Sequence, residues 1–319
     1  MQVFDAATTR AALPMPELLD AVEEAFRAVS AGRDQSPLRS HVRLANGDLL
    51  LMPGVRDNAA GSTVKVVTVM PGNAARGLST VQAVVLWLDA ETGTPVAVLD
   101  GGTITAMRTG AASGVATRLL ARSDAAVLGL IGVGGQAAWQ VRAVLAARAI
   151  GEVRVYARSA ERRSAFADKL AAELGPAVRV RAEASAEAAV READVVCCAT
   201  SSSEPVFDAS WIRPGTHVNG IGAFRLGMVE LPPALFVRAS LVAVDATSAA
   251  LAEAGDVVAA IDAGMLTSSA LVEIGTIGRD WQAGRDPAAI TVFKSVGLAA
   301  QDLAATSVAM VHLARPEGG

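Results

Sequence analysis

Apolar residues recur at helical spacing over residues 15–31, where Leu18, Leu19, Val22, Ala25, Phe26 and Val29 share one face. Pro16 suits a first helical turn and Gly32 a stop. The pattern then shortens to strand-like runs at 48–52, 62–70 and 80–88. The last of these turns through Glu91-Thr92-Gly93 into 95–99, which reads as a hairpin. This first region is α+β with a mostly antiparallel sheet. Residues 103–121, TITAMRTGAASGVATRLLA, keep helical spacing but are built largely from small residues. They read as a closely packed helix crossing from a first domain to a second.

From residue 125 the pattern becomes strand-helix alternation. Strands are predicted at 126–131, 153–157, 178–181, 195–199, 217–221 and 241–244, with helical stretches between most of them. Short apolar runs alternating with helices imply a parallel sheet covered on both faces. Residues 294–313 read as a helix returning to the first domain. The fold class is therefore α/β: a doubly wound Rossmann sheet at 122–295, inserted into an α+β domain made of 1–121 and 296–319.

Composition narrows the function. The chain has 319 residues, 52 % hydrophobic and 19 % charged, enough for two buried cores. The net charge is −4 and no stretch concentrates Lys or Arg, so nucleic acid is not an expected partner. No window approaches the length of apolar sequence a membrane span needs, and MQVFDAATTR has neither signal- nor transit-peptide character. The only cysteines, Cys197 and Cys198, are adjacent and point to opposite faces of a strand, which fits a reducing cytoplasm. His41, His217 and His312 are scattered, so no metal site is expected.

The first strand of the second domain, AVLGLI, runs directly into Gly132-Val133-Gly134-Gly135-Gln136-Ala137 and a helix. This is GxGxxA between a strand and a helix. Gly132 permits the tight turn, Gly134 lets a pyrophosphate approach the backbone, and Ala137 allows close helix-strand contact. The helix N-terminus offers free N–H groups to phosphate. An NAD site usually carries an acid at the end of the second strand, yet here VRVYA ends in Arg158-Ser159, with Arg162 and Arg163 a turn later. A guanidinium and a hydroxyl suit a 2′-phosphate, so NADP(H) is favoured, with NAD(H) the alternative. Thr200 is a further candidate cofactor contact.

Several blocks resemble the ornithine cyclodeaminase/mu-crystallin family in order and spacing: VKVVTVMPGN (64–73), LDGGTITAMRTGAASGVAT (99–117), GVGGQA (132–137), NGIGAFRLGMVEL (219–231), EAGDV (253–257) and TVFKSVGLAAQDLAA (291–305). The resemblance implies a substrate-binding and dimerisation domain, a homodimer, and a carboxylate grip made by two arginines and a lysine beside the nicotinamide. Carried over by motif, these are Lys65, Arg108 and Arg39, with Arg43 the weaker alternative to Arg39. Thr80 is added near the substrate by strand alignment, and Ser295 near the nicotinamide by family analogy. The residue chemistry agrees. A buried carboxylate needs cationic, fork-shaped donors, and an ammonium inside the apolar run VKVVTVM is costly without a partner.

The sequence departs from the family's cyclodeaminases in one place. They carry an acid in a GGDCPGK-like block, whereas here Gly222-Ala223-Phe224 puts Phe224 at that position and Met228 at the later lysine. Phe224 cannot bond an ammonium or carry a proton. The GAF block followed by MVELPP resembles the family's cyclic imine reductases, which reduce Δ1-pyrroline-2-carboxylate or Δ1-piperideine-2-carboxylate to the amino acid. That activity is the expectation. The alternatives are an ornithine cyclodeaminase or alanine-dehydrogenase-like enzyme, and an NADPH-binding crystallin-like protein with little catalysis.

Overall fold

The computed structural model describes residues 1–314. The chain divides into two compact units, 1–111 with 298 onward, and 112–297. The first division falls inside one continuous helix, Gly101–Leu120.

The first unit is a seven-stranded sheet with helices on it. Its strands are β1 (Gln2–Phe4), β2 (Asp34–Gln35), β3 (Ser40–Leu44), β4 (Gly47–Arg56), β5 (Gly61–Val69), β6 (Val81–Asp89) and β7 (Pro95–Asp100), in the order β1-β7-β6-β5-β4-β2, with β3 also on β4. All pairings are antiparallel except β1 with β7. The helices are α1 (Ala6–Ala11), α2 (Met15–Ser30), the first half of α3 (Gly101–Leu120) and α10 (Ala299–Leu313).

Four of these elements were not foreseen: α1, β1, β2 and β3, of which β1 and β2 are only three and two residues long. Helix α1 starts where Asp5 accepts the N–H of Thr8 at 2.8 Å, but at six residues it is too short to show periodicity. Strand β3 alternates Val42 and Leu44 with His41 and Arg43, but over five mostly exposed residues the pattern is too short to announce a strand.

Helix α2 buries Leu18, Leu19, Val22, Ala25 and Phe26, as its spacing predicts. It packs on α10, and α10 packs on β4 and β5. On β5 the pleat alternates: Thr63, Lys65 and Val67 are buried, while Val66 is exposed on the other face. That alternation aims Lys65 into the layer beneath α10.

The second unit is an eight-stranded, wholly parallel sheet in the order β10-β9-β8-β11-β12-β15-β13-β14. Its strands are β8 (Val127–Ile131), β9 (Glu152–Tyr156), β10 (Arg179–Ala182), β11 (Val195–Cys198), β12 (His217–Gly220), β13 (Leu241–Val244), β14 (Leu271–Glu273) and β15 (Thr291–Lys294). Its helices include α4 (Ala137–Ala147), α5 (Ala160–Leu174), α6 (Ala186–Val190), α7 (Pro233–Arg238), α8 (Thr247–Glu253) and α9 (Gly255–Asp262). Leu128 and Leu130 of β8, Val153 and Val155 of β9, and Val141 and Val144 of α4 form its core.

The six expected strands are present, and β14 and β15 add two more. Residues 294–298, expected as the start of a helix, are not helical. Lys294 ends β15, and Gly297 sits at φ 83°, outside helical space, so α10 begins only at Ala299.

Candidate active site

In the first unit, Lys65 faces inward between Met52 of β4 and Val85 of β6, its partners in the ladder. An ammonium among such neighbours needs an anion. Asp302 of α10 supplies it, with Oδ2 2.7 Å from Nζ of Lys65. The other carboxylate oxygen accepts Nε of Arg108 at 3.0 Å. Arg108 Nη1 donates to Oε1 of Gln301 at 2.7 Å, and the same oxygen accepts the Leu298 N–H at 3.2 Å. Both neighbours of that oxygen are donors, which fixes the orientation of the Gln301 amide.

All four side chains are buried, Lys65 at 1 % and Asp302 at 0 % exposure. Burial, together with the nearby charges of Arg108 and Arg39, brings the Lys65 pKa down to about 7 against the opposing pull of Asp302. For Asp302, burial pushes upward, but Lys65 and Arg108 outweigh it and hold the carboxyl below its usual range.

The structure therefore brings Lys65 and Arg108 together, with the Arg39 charge acting on Lys65. It separates the two arginine alternatives: Arg43 is exposed on β3. Thr80 is not beside Lys65. The ladder partner of Lys65 is Val85, and Thr80 lies five residues further along, roughly 16 Å at strand rise. Asp302 and Gln301 were missed. Their signal was a polar pair in an otherwise small and apolar run, GLAAQDLAA.

In the second unit, the glycine loop has the expected form. Gly132 adopts φ 101°, and a Cβ there would lie 2.6 Å from the Ala199 carbonyl oxygen. At Gly134 and Gly135 a Cβ would meet nothing within 4 Å, so the backbone is bare toward open space. Gln136 occupies the N-cap of α4 with no side-chain capping bond, and Ala137 is fully buried. A cleft of about 460 Å³ opens here, lined by Gly132, Gly134, Arg158, Ser159, Arg162 and Thr200 among others. A left-handed glycine turn, bare backbone, an uncapped helix N-terminus and two cations fit a nicotinamide dinucleotide.

Arg162, not Arg163, lines this cleft. Arg163 turns back, donating to the Ala157 carbonyl at 2.8 Å with its guanidinium 5.6 Å from the Tyr156 ring centre. Ser159 caps α5, accepting the Arg162 N–H at 3.2 Å, which leaves its own O–H available to donate.

Thr200 is held from below by Glu230, whose Oε2 accepts both its N–H and its hydroxyl. The other oxygen of Glu230 accepts the N–H groups of Gly222 and Ala223 at 2.6 and 3.3 Å. Lys294 lies 3.8 Å from that oxygen and 2.5 Å from Asp256 Oδ2, all three fully buried. Burial raises the Glu230 pKa to about 7 against the pull of Lys294. Phe224, next along this loop, is half-buried. Ser295 donates to Asp245 at 2.9 Å.

A family model of the ornithine cyclodeaminase/mu-crystallin family matches residues 2–313. The chain belongs to this family. It is 38 % identical over 307 residues to a Δ1-pyrroline-2-carboxylate reductase of Bacillus cereus, covering 95 % of this chain and 94 % of the relative. Among solved structures it superposes on a Thermococcus litoralis Δ1-pyrroline-2-carboxylate reductase in complex with NADH and L-proline. The TM-score there is 0.91 at 34 % identity, over 98 % of this chain and 97 % of that one. An archaeal alanine dehydrogenase dimer with bound NAD gives 0.88 at 32 % identity, over 98 % and 95 %.

Proposed function

We propose that this protein reduces a cyclic imino acid, Δ1-pyrroline-2-carboxylate or Δ1-piperideine-2-carboxylate, to the L-amino acid with NAD(P)H. The observation that supports this reading most is the buried group Lys65–Asp302–Arg108 with Arg39 acting on it: three cations and one anion, a surplus of positive charge suited to one further carboxylate. Arg108 leaves Nη2 without a protein partner among the described residues. A substrate carboxylate docks on Arg39, Lys65 and Arg108, which fixes the ring and its C=N bond in one orientation. Gly132, Gly134, Gly135 and the α4 N-terminus hold the dinucleotide's phosphates, with Thr200 and Ser295 as further contacts. When bound, the reduced dinucleotide supplies the hydride for the imine carbon. The nitrogen takes up a proton, and positive charge around the carboxylate keeps the substrate in place while that charge moves.

Phe224 supports an imine substrate over ornithine, because a phenyl ring has no means of handling a second amine. Arg158, Ser159 and Arg162, with no acid at the end of β9, favour NADP(H) over NAD(H) through the 2′-phosphate. The solved relatives above hold NADH or NAD, and the preference for NADP(H) rests on this chain's own strand end alone.

A homodimer is part of the same reading. On the outward face of the first sheet, Leu51, Val66 and Val84 are exposed and stand opposite one another in a row across β4, β5 and β6. A contiguous apolar row of this kind suits burial against a second copy. Two free, buried cysteines fit a cytoplasmic setting, and among the described residues no helix is long and apolar enough to cross a membrane.

The test is direct. NADPH should be consumed with Δ1-pyrroline-2-carboxylate, yielding L-proline, while NAD with L-ornithine should yield none. Proline formed from ornithine by a protein inert toward the imine overturns the reading.

A further inference from the structure

The three cations assigned to the substrate are not alone. A carboxylate already sits against two of them, from an element far away in sequence, and it is as buried as Lys65 and Arg108. Asp302 divides its two oxygens, Oδ2 to Lys65 at 2.7 Å and Oδ1 to Arg108 at 3.0 Å. Gln301, one residue earlier on α10, takes Nη1 of the same arginine at 2.7 Å. Adjacent residues of one helix thus clamp the two side chains that the substrate needs. Nothing in the hydride transfer requires Asp302 to touch the substrate.

We infer that Asp302 is a positioning residue: an internal anion that favours the ammonium form of Lys65 and holds Arg108 in a fixed orientation, so that the grip is set before the substrate carboxylate arrives.

The physical need is plain. Lys65 is walled by Met52 and Val85 and 1 % exposed, and both other ionic neighbours, Arg108 from α3 and Arg39 ahead of β3, are cationic. Burial and both arginines favour the neutral amine. Of the charges acting on Lys65, Asp302 alone favours the ammonium. A neutral amine would still fill the space but would give up the charge on which carboxylate binding depends. Gln301 is placed to finish the arrangement without adding charge: its oxygen takes Arg108 and the Leu298 N–H, and its buried amide nitrogen has no protein partner among the described residues.

This inference rests on the reading of the cluster as a carboxylate grip. The experiment is the pH dependence of kcat/KM for Δ1-pyrroline-2-carboxylate with NADPH in the full-length protein, in wild type, Asp302→Asn, Asp302→Glu and Gln301→Glu. The substrate's own titration is common to all four, so differences between them report the protein. In Asp302→Asn the alkaline fall in kcat/KM should move to lower pH by roughly one to three units. The loss should appear mainly in KM, and Asp302→Glu should restore most of the wild-type profile. Gln301→Glu keeps both acceptor contacts and adds an anion beside Arg108, so its fall should move to higher pH. That variant decides the matter if Asp302→Asn does not fold. A uniform drop at every pH with unmoved limbs, or Gln301→Glu superposing on wild type, overturns the positioning role. Wild-type protein with no turnover of the imine overturns the underlying reading instead.

Discussion

Glu230 takes both the backbone N–H of Thr200, at 2.9 Å, and its hydroxyl, at 3.0 Å, on a single carboxylate oxygen. One buried acid thereby fixes a residue that lines the glycine-loop cleft, while its other oxygen fixes the turn leading to Phe224. Glu230→Gln presents an amide N–H₂ where an acceptor is needed and orphans at least one buried donor, at about 1–3 kcal/mol. The expected result is a lower urea midpoint and a KM for NADPH raised by about tenfold, with a smaller change in the KM for the imine. An unchanged cofactor KM would show that the Thr200 contact has no bearing on binding.

Arg39 and Arg43 are four residues apart, yet only Arg39 acts on Lys65, and Arg43 is exposed. Arg39→Ala should lower kcat/KM by about 10- to 100-fold, the worth of one charge-assisted hydrogen bond, and Arg108→Lys should do at least as much by losing the fork. Arg43→Ala should leave steady-state kinetics unchanged. Equal losses from Arg39→Ala and Arg43→Ala would remove Arg39 from the site.

The Lys65 ammonium also bears on stability. Burial brings its pKa to about 7 in the folded chain, whereas the unfolded chain titrates near ~10.4. Between those values the unfolded state binds the extra proton, so raising the pH favours the folded state. Without substrate or cofactor, the unfolding free energy of wild type relative to Lys65→Met should rise from about pH 7 toward pH 10. Denaturant titrations at several pH values measure it, and a difference that stays flat across the window contradicts the assignment.

Arg158 and Arg162 line the cleft, whereas Arg163 is spent on the Ala157 carbonyl. Wild type should prefer NADPH to NADH in kcat/KM. Arg158→Ala should weaken NADPH by roughly tenfold or more while sparing NADH. Arg163→Ala should leave the ratio of the two cofactors unchanged. A wild type that favours NADH leaves the 2′-phosphate role without support.

The row Leu51–Val66–Val84 gives an assembly test. Light scattering should find twice the chain mass for wild type, and Val66→Lys with Val84→Lys should yield monomer. A wild-type monomer would leave the exposed row without the proposed partner.

Legibility in the sequence followed how local each signal was. The glycine loop, the α2 face and six of the eight strands of the second unit announce themselves over a few residues, and those six all reappear in the parallel sheet. Lys65 was conspicuous because an ammonium in an apolar strand demands an explanation. Asp302 was not, because its partners lie 194 residues back at Arg108 and further still at Lys65. Strand β15 was hidden for a similar reason. Lys294 reads as a surface charge unless Asp256 is known to meet it. Spacing reports the period of an element, and long-range ion pairs leave no period.

Strand β15 lies between β12 and β13, although it follows both in the chain by some fifty residues or more. During synthesis the parallel sheet must therefore wait with an internal slot, its five strands on one side and two on the other laterally unjoined until residues 291–294 emerge. The same short stretch then leads into α10, which brings Asp302 to the lysine made long before. Loss of this late segment would leave a split sheet and an unneutralised lysine together, so premature termination here should give a chain destined for proteolysis rather than a weakened enzyme.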